Sequence, residues 1–173
     1  EVITGTKTPE NCLDTFLNSV FHRSAILDTD TQYIGIGLAA VPETAGPLYA
    51  GFYQCTLEPA YKSKSNVRPS DWTGVYPGAG QTGVPIAMTS GEVPNPAPEV
   101  VNKGLPVSIY LNENIGSVTS FTLTDNSGAV VPTKRIVDAD FPAYLTNQEA
   151  HLLPLQPLSK GVTYKASYKG VSV

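Results

Sequence analysis

The chain has 173 residues, of which 41% are hydrophobic and 15% are charged, and its formal net charge is −4. The charged fraction is well below the roughly 25% of an average soluble protein. Together with 15 Gly, 15 Pro and 9 Tyr residues, it favours a loop-rich β protein of the cell exterior. The sequence has no basic patch, which argues against nucleic acid as a partner. No apolar run approaches the roughly 20 residues of a membrane span.

The chain carries no signal peptide and begins with Glu rather than Met, so we expect a processed or excised piece of a protein. Its acidic residues are unevenly placed. Up to Leu57 there are six acids against two bases, and from Glu58 onward there are nine of each. The first third of the chain is therefore the acidic part.

Residues 8–27 predict one amphipathic helix. Thr8 can cap it, Pro9 suits the first helical position, and Glu10 is favourable near the positive end of the helix dipole. Apolar residues then recur at spacings of three and four, namely Leu13, Phe16, Leu17, Val20 and Phe21. On this helix His22 lies beside the apolar residues rather than opposite them.

Two strands are expected next. Residues 33–40 (YIGIGLAA) predict the first, in which Gly35 and Gly37 share one face and would let another segment pack closely. Residues 48–57 (LYAGFYQCTL) predict the second, and its spacing from the first suits an antiparallel hairpin.

From 58 to 104 the sequence is typical of a connector. Eight of the 15 prolines fall between Pro59 and Pro106, and we expect Trp72 and Tyr76 to pin this segment against a domain face. A connector of this length is unusual inside one compact domain. The sequence therefore predicts a first domain over 1–57, a connector over 58–104 and a second domain over 105–173.

Short strands separated by turns follow, which is typical of a β-sandwich. Expected strand segments are 105–111, 117–125, 129–137, 149–155 and 162–173. Asn126-Ser127-Gly128 predicts a hairpin turn between the second and third of these. In the last segment Val162, Tyr164, Ala166 and Tyr168 share one face.

The two cysteines, Cys12 and Cys55, are 43 positions apart and form no CxxC motif, which excludes a zinc knuckle or a thioredoxin-like site. Two interpretations of the cysteines stay open. They are small buried hydrophobic residues in a reducing compartment, or they form one disulfide in an oxidising compartment.

Four short stretches carry a resemblance to a known family. Glu1-Val2-Ile3, FHRSAIL (21–27), IGIG (34–37) and LYAGFYQ (48–54) stand in an order that resembles the second half of a bacterial CAP domain. CAP denotes the cysteine-rich secretory protein, antigen 5 and pathogenesis-related 1 superfamily. The resemblance covers roughly residues 1–57, and it implies part of an α/β/α sandwich.

The stretch HLLPLQPLSKGVTYKASYKGV (151–171) resembles the last two strands of a bacterial Ig-like domain. The fold class expected from both resemblances is α+β, a partial α/β/α sandwich of CAP type followed by an all-β Ig-like sandwich. Such an arrangement implies a protein that is secreted, periplasmic or on the cell surface.

The CAP resemblance also implies a site. The family's cavity is lined by histidines and glutamates that in some members hold a divalent metal. His22 and Glu1 match two of these positions, so both are expected to line a ligand cleft and, with Zn²⁺ or Mg²⁺, to act as metal ligands. The other half of the CAP domain would be supplied upstream in cis or by another chain.

Other candidate residues have simpler interpretations. Arg23 is expected to be a surface or strand-end anchor, and His151 a structural residue on a strand. Asp28 and Asp30 are expected to form a polar turn, because an EF-hand glycine and distal glutamate are lacking. No serine stands in G-x-S-x-G, so no catalytic residue is identified.

Three functions are compatible with these patterns. The first is a non-enzymatic exported protein that binds a small hydrophobic ligand or lipid, or a partner surface, through the His/Glu cleft, with the Ig-like domain as a spacer or adhesion module. The second is a metal-dependent hydrolase or peptidase that uses His22 and Glu1. The third is a structural piece of a surface assembly.

Overall fold

The computed structural model describes residues 2–42, 44, 46, 50–61, 68–69, 71–88, 91–112 and 114–171, with the backbone alone for Val2, Ile3, Ser117 and Val171. Within these ranges the elements in chain order are β1 (Val2–Thr6), α1 (Asn11–Leu17), α2 (Phe21–Leu27), β2 (Tyr33–Ala40), β3 (Tyr53–Ala60), β4 (Thr73–Tyr76), β5 (Val107–Leu111), β6 (Ser117–Thr124), β7 (Thr133–Val137), β8 (Glu149–Pro154) and β9 (Lys165–Val171). None of the helices in this part of the chain is long and apolar enough to cross a membrane.

The expected fold class is wrong. The described chain is mainly β, with 36% strand and 10% helix, and its sheets are antiparallel. An α/β/α sandwich of CAP type needs helices on both faces of a sheet, whereas the two helices found here are seven residues long each. The short motifs that carried the resemblance did not specify how the segments pack.

Sheet 1 has the strand order β1-β3-β2. The strand predicted over 33–40 is confirmed, as is its antiparallel pairing with the next strand, in which Ile36 faces Leu57. That next strand begins later than predicted, at Tyr53, and continues to Ala60. Residues 48 and 49 of the predicted strand lie outside the described residues.

The single helix predicted over 8–27 is instead two helices separated at Asn18–Val20. In a continuous helix the Phe21 N–H would bind the Leu17 carbonyl. Here the Phe21 N–H donates to Glu92 at 2.6 Å, and the Leu17 carbonyl accepts from Arg23 Nε at 2.6 Å. Two side chains thus replace the bonds that would have joined α1 to α2.

Both helices pack on one face of sheet 1. Cys12 of α1 forms a disulfide with Cys55 of β3, with their Cα atoms 5.9 Å apart. A buried apolar cluster surrounds this bond and includes Phe16, Ile26 and Leu57. The disulfide therefore lies inside the first core and fixes α1 to the central strand.

Sheet 2 has the order β4-β5-β8-β7, and sheet 3 consists of β6 and β9. Every residue of β8 is buried, because both faces of this strand are covered. Ala150 and Leu152 belong to a core shared with Phe121 and Leu123 of sheet 3. Leu153, on the opposite face, packs with residues from α2. Sheet 2 is therefore a middle layer.

The turn predicted at residues 126–128 is present, with the Asp125 N–H bonded to the Ala129 carbonyl at 3.0 Å. The strands it joins do not stay together, however. After an isolated bridge between Thr124 and Val130, β7 pairs with β8 in sheet 2, while β6 pairs with β9 in sheet 3. The turn signal fixed the local bend but not the strand partners.

One buried cluster contains residues from all three predicted parts of the chain. Val20 and Phe21 at the start of α2 pack with Ala97 of the predicted connector and with Ile136 and Leu153 of the β region. The division into 1–57, 58–104 and 105–173 itself stays a prediction. The segment 91–100 nevertheless forms part of a common core.

Candidate ligand-binding cleft

The start of α2 is held by a carboxylate distant in the sequence. No side chain next to the helix caps it. Glu92 accepts hydrogen bonds from the backbone N–H groups of Val20 (2.8 Å), Phe21 (2.6 Å) and His22 (3.0 Å), and it contacts His22 Nδ1 at 3.1 Å. These are donors that every helix leaves unsatisfied at its first turn.

This environment shifts the acidity of Glu92. Burial would raise the pKa of its carboxyl, but hydrogen bonds from His22 and from the Val20 backbone outweigh burial and lower the pKa below its usual value. Glu92 is therefore an anion at neutral pH. The partly exposed His22 ring lies between this anion and Phe16, whose ring centroid is 5.6 Å away.

The structure contradicts the surface position expected for Arg23. Its side chain is completely buried, and its Nη1 donates to the Pro106 carbonyl at 2.6 Å and to Ser108 Oγ at 3.2 Å. The guanidinium also lies 4.6 Å above the ring of Tyr76. Burial lowers the Arg23 pKa to about 10, so the group stays charged at neutral pH. Arg23 anchors α2 to the middle sheet.

A second buried carboxylate lies beneath α2. Glu149 accepts a hydrogen bond from Ser24 Oγ at 2.7 Å and from the Thr146 backbone N–H at 2.8 Å, and it contacts His151 Nε2 at 2.9 Å. Burial opposes ionisation of Glu149, but these hydrogen bonds and His151 lower its pKa below the usual value. His151 is a fully buried strand residue, as its structural interpretation requires.

The predicted site residues have different outcomes. His22 contacts Glu92, while Glu1 lies outside the described residues, so the pairing of His22 with Glu1 stays a prediction. Within the described ranges, no three His, Cys, Asp or Glu side chains are grouped so that they could hold a metal ion. The polar residues beneath α2 are engaged with one another and tie the helix to sheet 2.

The other face of sheet 2 borders a large cleft. It lies between sheets 2 and 3 and has a volume of about 1,200 Å³. One wall is formed by Val107 and Ile109 of β5, and the other by Leu123 of β6 with Ala166 and Tyr168 of β9. Ligand cavities in proteins commonly have volumes of roughly 300–1,000 Å³, so this cleft can accept a whole small molecule.

The tyrosines in the cleft present apolar surface. Tyr164 accepts a hydrogen bond from the Ser159 backbone N–H at 2.9 Å, and Tyr168 donates to the Ile115 carbonyl at 3.3 Å. With their hydroxyls engaged elsewhere, the two rings add flat apolar area to the walls. Tyr168 also packs edge-to-face on Phe121, with ring centroids 5.6 Å apart.

Two loops, 77–87 and 158–164, border the rest of the cleft. Among the described residues that line it, Lys160 alone carries a formal charge. None of the lining residues that the structure describes has an acidic side chain. The cleft therefore suits an apolar molecule and leaves room for a polar or anionic end beside Lys160.

Part of this site could be predicted from the sequence. The predicted common face of Val162, Tyr164, Ala166 and Tyr168 does line the cleft. The sequence predicts the loop 77–87 only as part of a connector, and no local pattern indicates that it lies over a gap between sheets. Glu92 was missed as well, because the sequence predicts an unbroken helix over 8–27 and no local pattern links Glu92 to its middle.

No protein-family model matches the chain, and the comparisons with curated proteins and with solved structures likewise give no match.

Proposed function

We propose that this protein is a non-enzymatic binding protein whose ligand is a small apolar molecule, held between sheets 2 and 3. The observation that carries the proposal is the cleft of about 1,200 Å³ with walls of aliphatic and tyrosine side chains. Burial of apolar ligand surface against such walls contributes about 25 cal/mol per Å². The ligand would enter between the loops 77–87 and 158–164.

The disulfide supports a place of action outside the cytoplasm. Disulfides such as Cys12–Cys55 persist in oxidising compartments and are rare where thiols are kept reduced. The proposed locations are therefore the periplasm, the cell surface or the exterior. His22 has no role in this proposal, because its Nδ1 is engaged by buried Glu92 at the start of α2.

The test uses a neutral apolar dye, N-phenyl-1-naphthylamine, whose fluorescence rises on transfer to an apolar site. We expect saturable binding to the wild-type chain. In Ala166→Trp the added indole would occupy the cleft and weaken dye binding at least ~10-fold, which corresponds to about 1.4 kcal/mol.

The matched control is Ser167→Trp. Ser167 is the next residue of β9, and successive strand residues point to opposite faces of a sheet. This variant is expected to bind the dye as the wild type does. Absence of saturable binding to the wild type, or equal affinity in both tryptophan variants, would refute the proposed site.

A further inference from the structure

The edge strand β2 is uncovered over its whole length. All eight of its residues are exposed, including Ile34 (44%), Ile36 (74%) and Leu38 (48%). Their partners Leu57 and Cys55 on β3 are buried beneath the helices. Sheet 1 therefore continues its apolar helix-side face onto β2, but α1 and α2 leave that part of the face open.

The backbone of the same three residues points to the free edge. The Val41 N–H donates to the Phe52 carbonyl, and this pair continues the register in which residue 40 faces residue 53. Hydrogen-bonded and non-hydrogen-bonded pairs alternate along an antiparallel ladder. The odd-numbered residues of β2 thus bond to β3, and Ile34, Ile36 and Leu38 present their N–H and C=O groups outward.

None of the usual protections of an edge strand occurs in β2. Natural edge strands carry charges, prolines or bulges that prevent pairing with another chain. The segment YIGIGLAA contains no charged residue and no proline, and its register with β3 is unbroken. The outward N–H and C=O groups of β2 are therefore available to pair with one more strand.

The opposite face of β2 is bare at Gly35 and Gly37. A Cβ placed on Gly35 would meet the Glu58 Cβ at 3.6 Å, and one on Gly37 would meet the Thr56 Cβ at 3.7 Å. Both distances are ordinary contacts, so packing against β3 does not require glycine at either position. The bare surface is available to an incoming side chain.

We propose that β2 pairs with β2 of a second copy of this chain, antiparallel, about a two-fold axis at Ile36. In this register Ile36 faces its own counterpart, and Ile34 of one copy faces Leu38 of the other. These three positions are the ones whose backbone groups point outward, so about six hydrogen bonds form across the axis. The aliphatic side chains of both copies meet on one face.

The remaining face of β2 is complementary to itself in the same register. Gly35 of one copy faces Gly37 of the other, and Tyr33 faces Ala39. Each Tyr33 ring, which is 59% exposed, can then lie diagonally across the bare glycine of the other copy, an arrangement known to stabilise strand glycines. Because β2 has no charge, no like-charged pair faces across the axis.

The first experiment locates the contact by disulfide trapping. Paired Cα atoms in a hydrogen-bonded antiparallel pair are about 5.5 Å apart, which is within the range a disulfide spans. Ile36→Cys should therefore give a covalent dimer on mild oxidation. Val101→Cys, at a position 91% exposed, is the control and should remain monomeric under non-reducing electrophoresis.

The second experiment measures assembly by sedimentation equilibrium. We expect a monomer–dimer equilibrium for the wild type, and an at least ~10-fold weaker dimer for Ile36→Lys, because two ammonium groups would face each other at the axis. Leu38→Lys is a second variant at another exposed position, and Val101→Lys is the control. Circular dichroism verifies that each variant is folded.

Three results would overturn the proposal. One is a wild-type chain that stays monomeric at every soluble concentration, which would leave the edge to a different partner. Another is a dimer that Ile36→Lys and Leu38→Lys do not weaken. The third is a dimer that Ile36→Cys fails to trap. None of these measurements depends on ligand binding in the cleft.

Discussion

At the scale of single residues, Glu92 shows how one buried side chain can satisfy the first turn of a distant helix. Its carboxylate is the acceptor for three consecutive backbone N–H groups at the start of α2 and contacts the His22 ring. A buried donor without an acceptor costs about 1–3 kcal/mol. One side chain from a proline-rich segment therefore determines where a helix begins some 70 residues earlier.

Glu92→Ala should destabilise the protein by about 2–4 kcal/mol, because the N–H groups of Val20 and Phe21 would lose their acceptor within a buried region. Urea denaturation followed by circular dichroism measures this change. Glu99→Ala is the control, since Glu99 forms an exposed ion pair with Lys134 at 3.0 Å, and it should leave the free energy of unfolding nearly unchanged. Equal losses in the two variants would contradict the capping role.

At the scale of elements, α1 is a seven-residue helix that could not persist alone in water. Its stability comes from packing Phe16 against sheet 1 and from the disulfide between Cys12 and Cys55. The bond closes a loop with a sequence separation of 43 residues. Chain entropy for a loop of this length corresponds to about 3–4 kcal/mol of stabilisation.

The double variant Cys12→Ala/Cys55→Ala should therefore lose about 3–4 kcal/mol in the free energy of unfolding. Thermal or urea denaturation with and without dithiothreitol measures the loss. Reductant should destabilise the wild type to a similar extent and leave the double variant unaffected. A double variant as stable as the oxidised wild type would show that the loop constraint contributes nothing.

At the scale of the whole molecule, sheet 2 lies between α2 and sheet 3 and contacts both. One face receives α2 through Arg23 and the Ser24–Glu149 hydrogen bond, and the other packs on sheet 3 through Leu152 and Phe121. Buried ionised groups are thus placed at the contact between layers. Acid that protonates them should weaken the entire fold rather than one loop.

Stability should consequently fall in acid. The folded-state pKa values of Glu92 and Glu149 lie below their ordinary value of 4.5, so the folded protein binds fewer protons than the unfolded chain. Their contribution is fully present above about pH 4.5 and is lost as the pH falls through the folded-state pKa values. Urea midpoints between pH 7 and pH 3 should show this decline.

The charge-neutral variant Glu149→Gln identifies the groups responsible for the decline. Its free energy of unfolding should be lower than that of the wild type at pH 7 and should fall less steeply in acid. Glu10→Gln, at an exposed position, should retain the steepness of the wild type. An unchanged slope in Glu149→Gln would remove this carboxylate from the acid transition.

The sequence by itself determined the local features. The segment YIGIGLAA gave β2 with its bounds, the alternation over 162–168 gave a set of residues that line the cleft, and Asn126-Ser127-Gly128 gave the bend after β6, because strand period and turn chemistry act over a few residues. It also gave the periodicity of the first helical region, although the helix was predicted as one piece.

Only the tertiary structure decided what pairs with what. The break between α1 and α2, the burial of Arg23 and the separation of β6 from β7 all depend on groups distant in sequence, namely Glu92, Pro106 and the strands β8 and β9. The cleft is likewise a gap between two sheets and belongs to no single segment. Such features arise because long-range hydrogen bonds and packing override local preference once the layers come together.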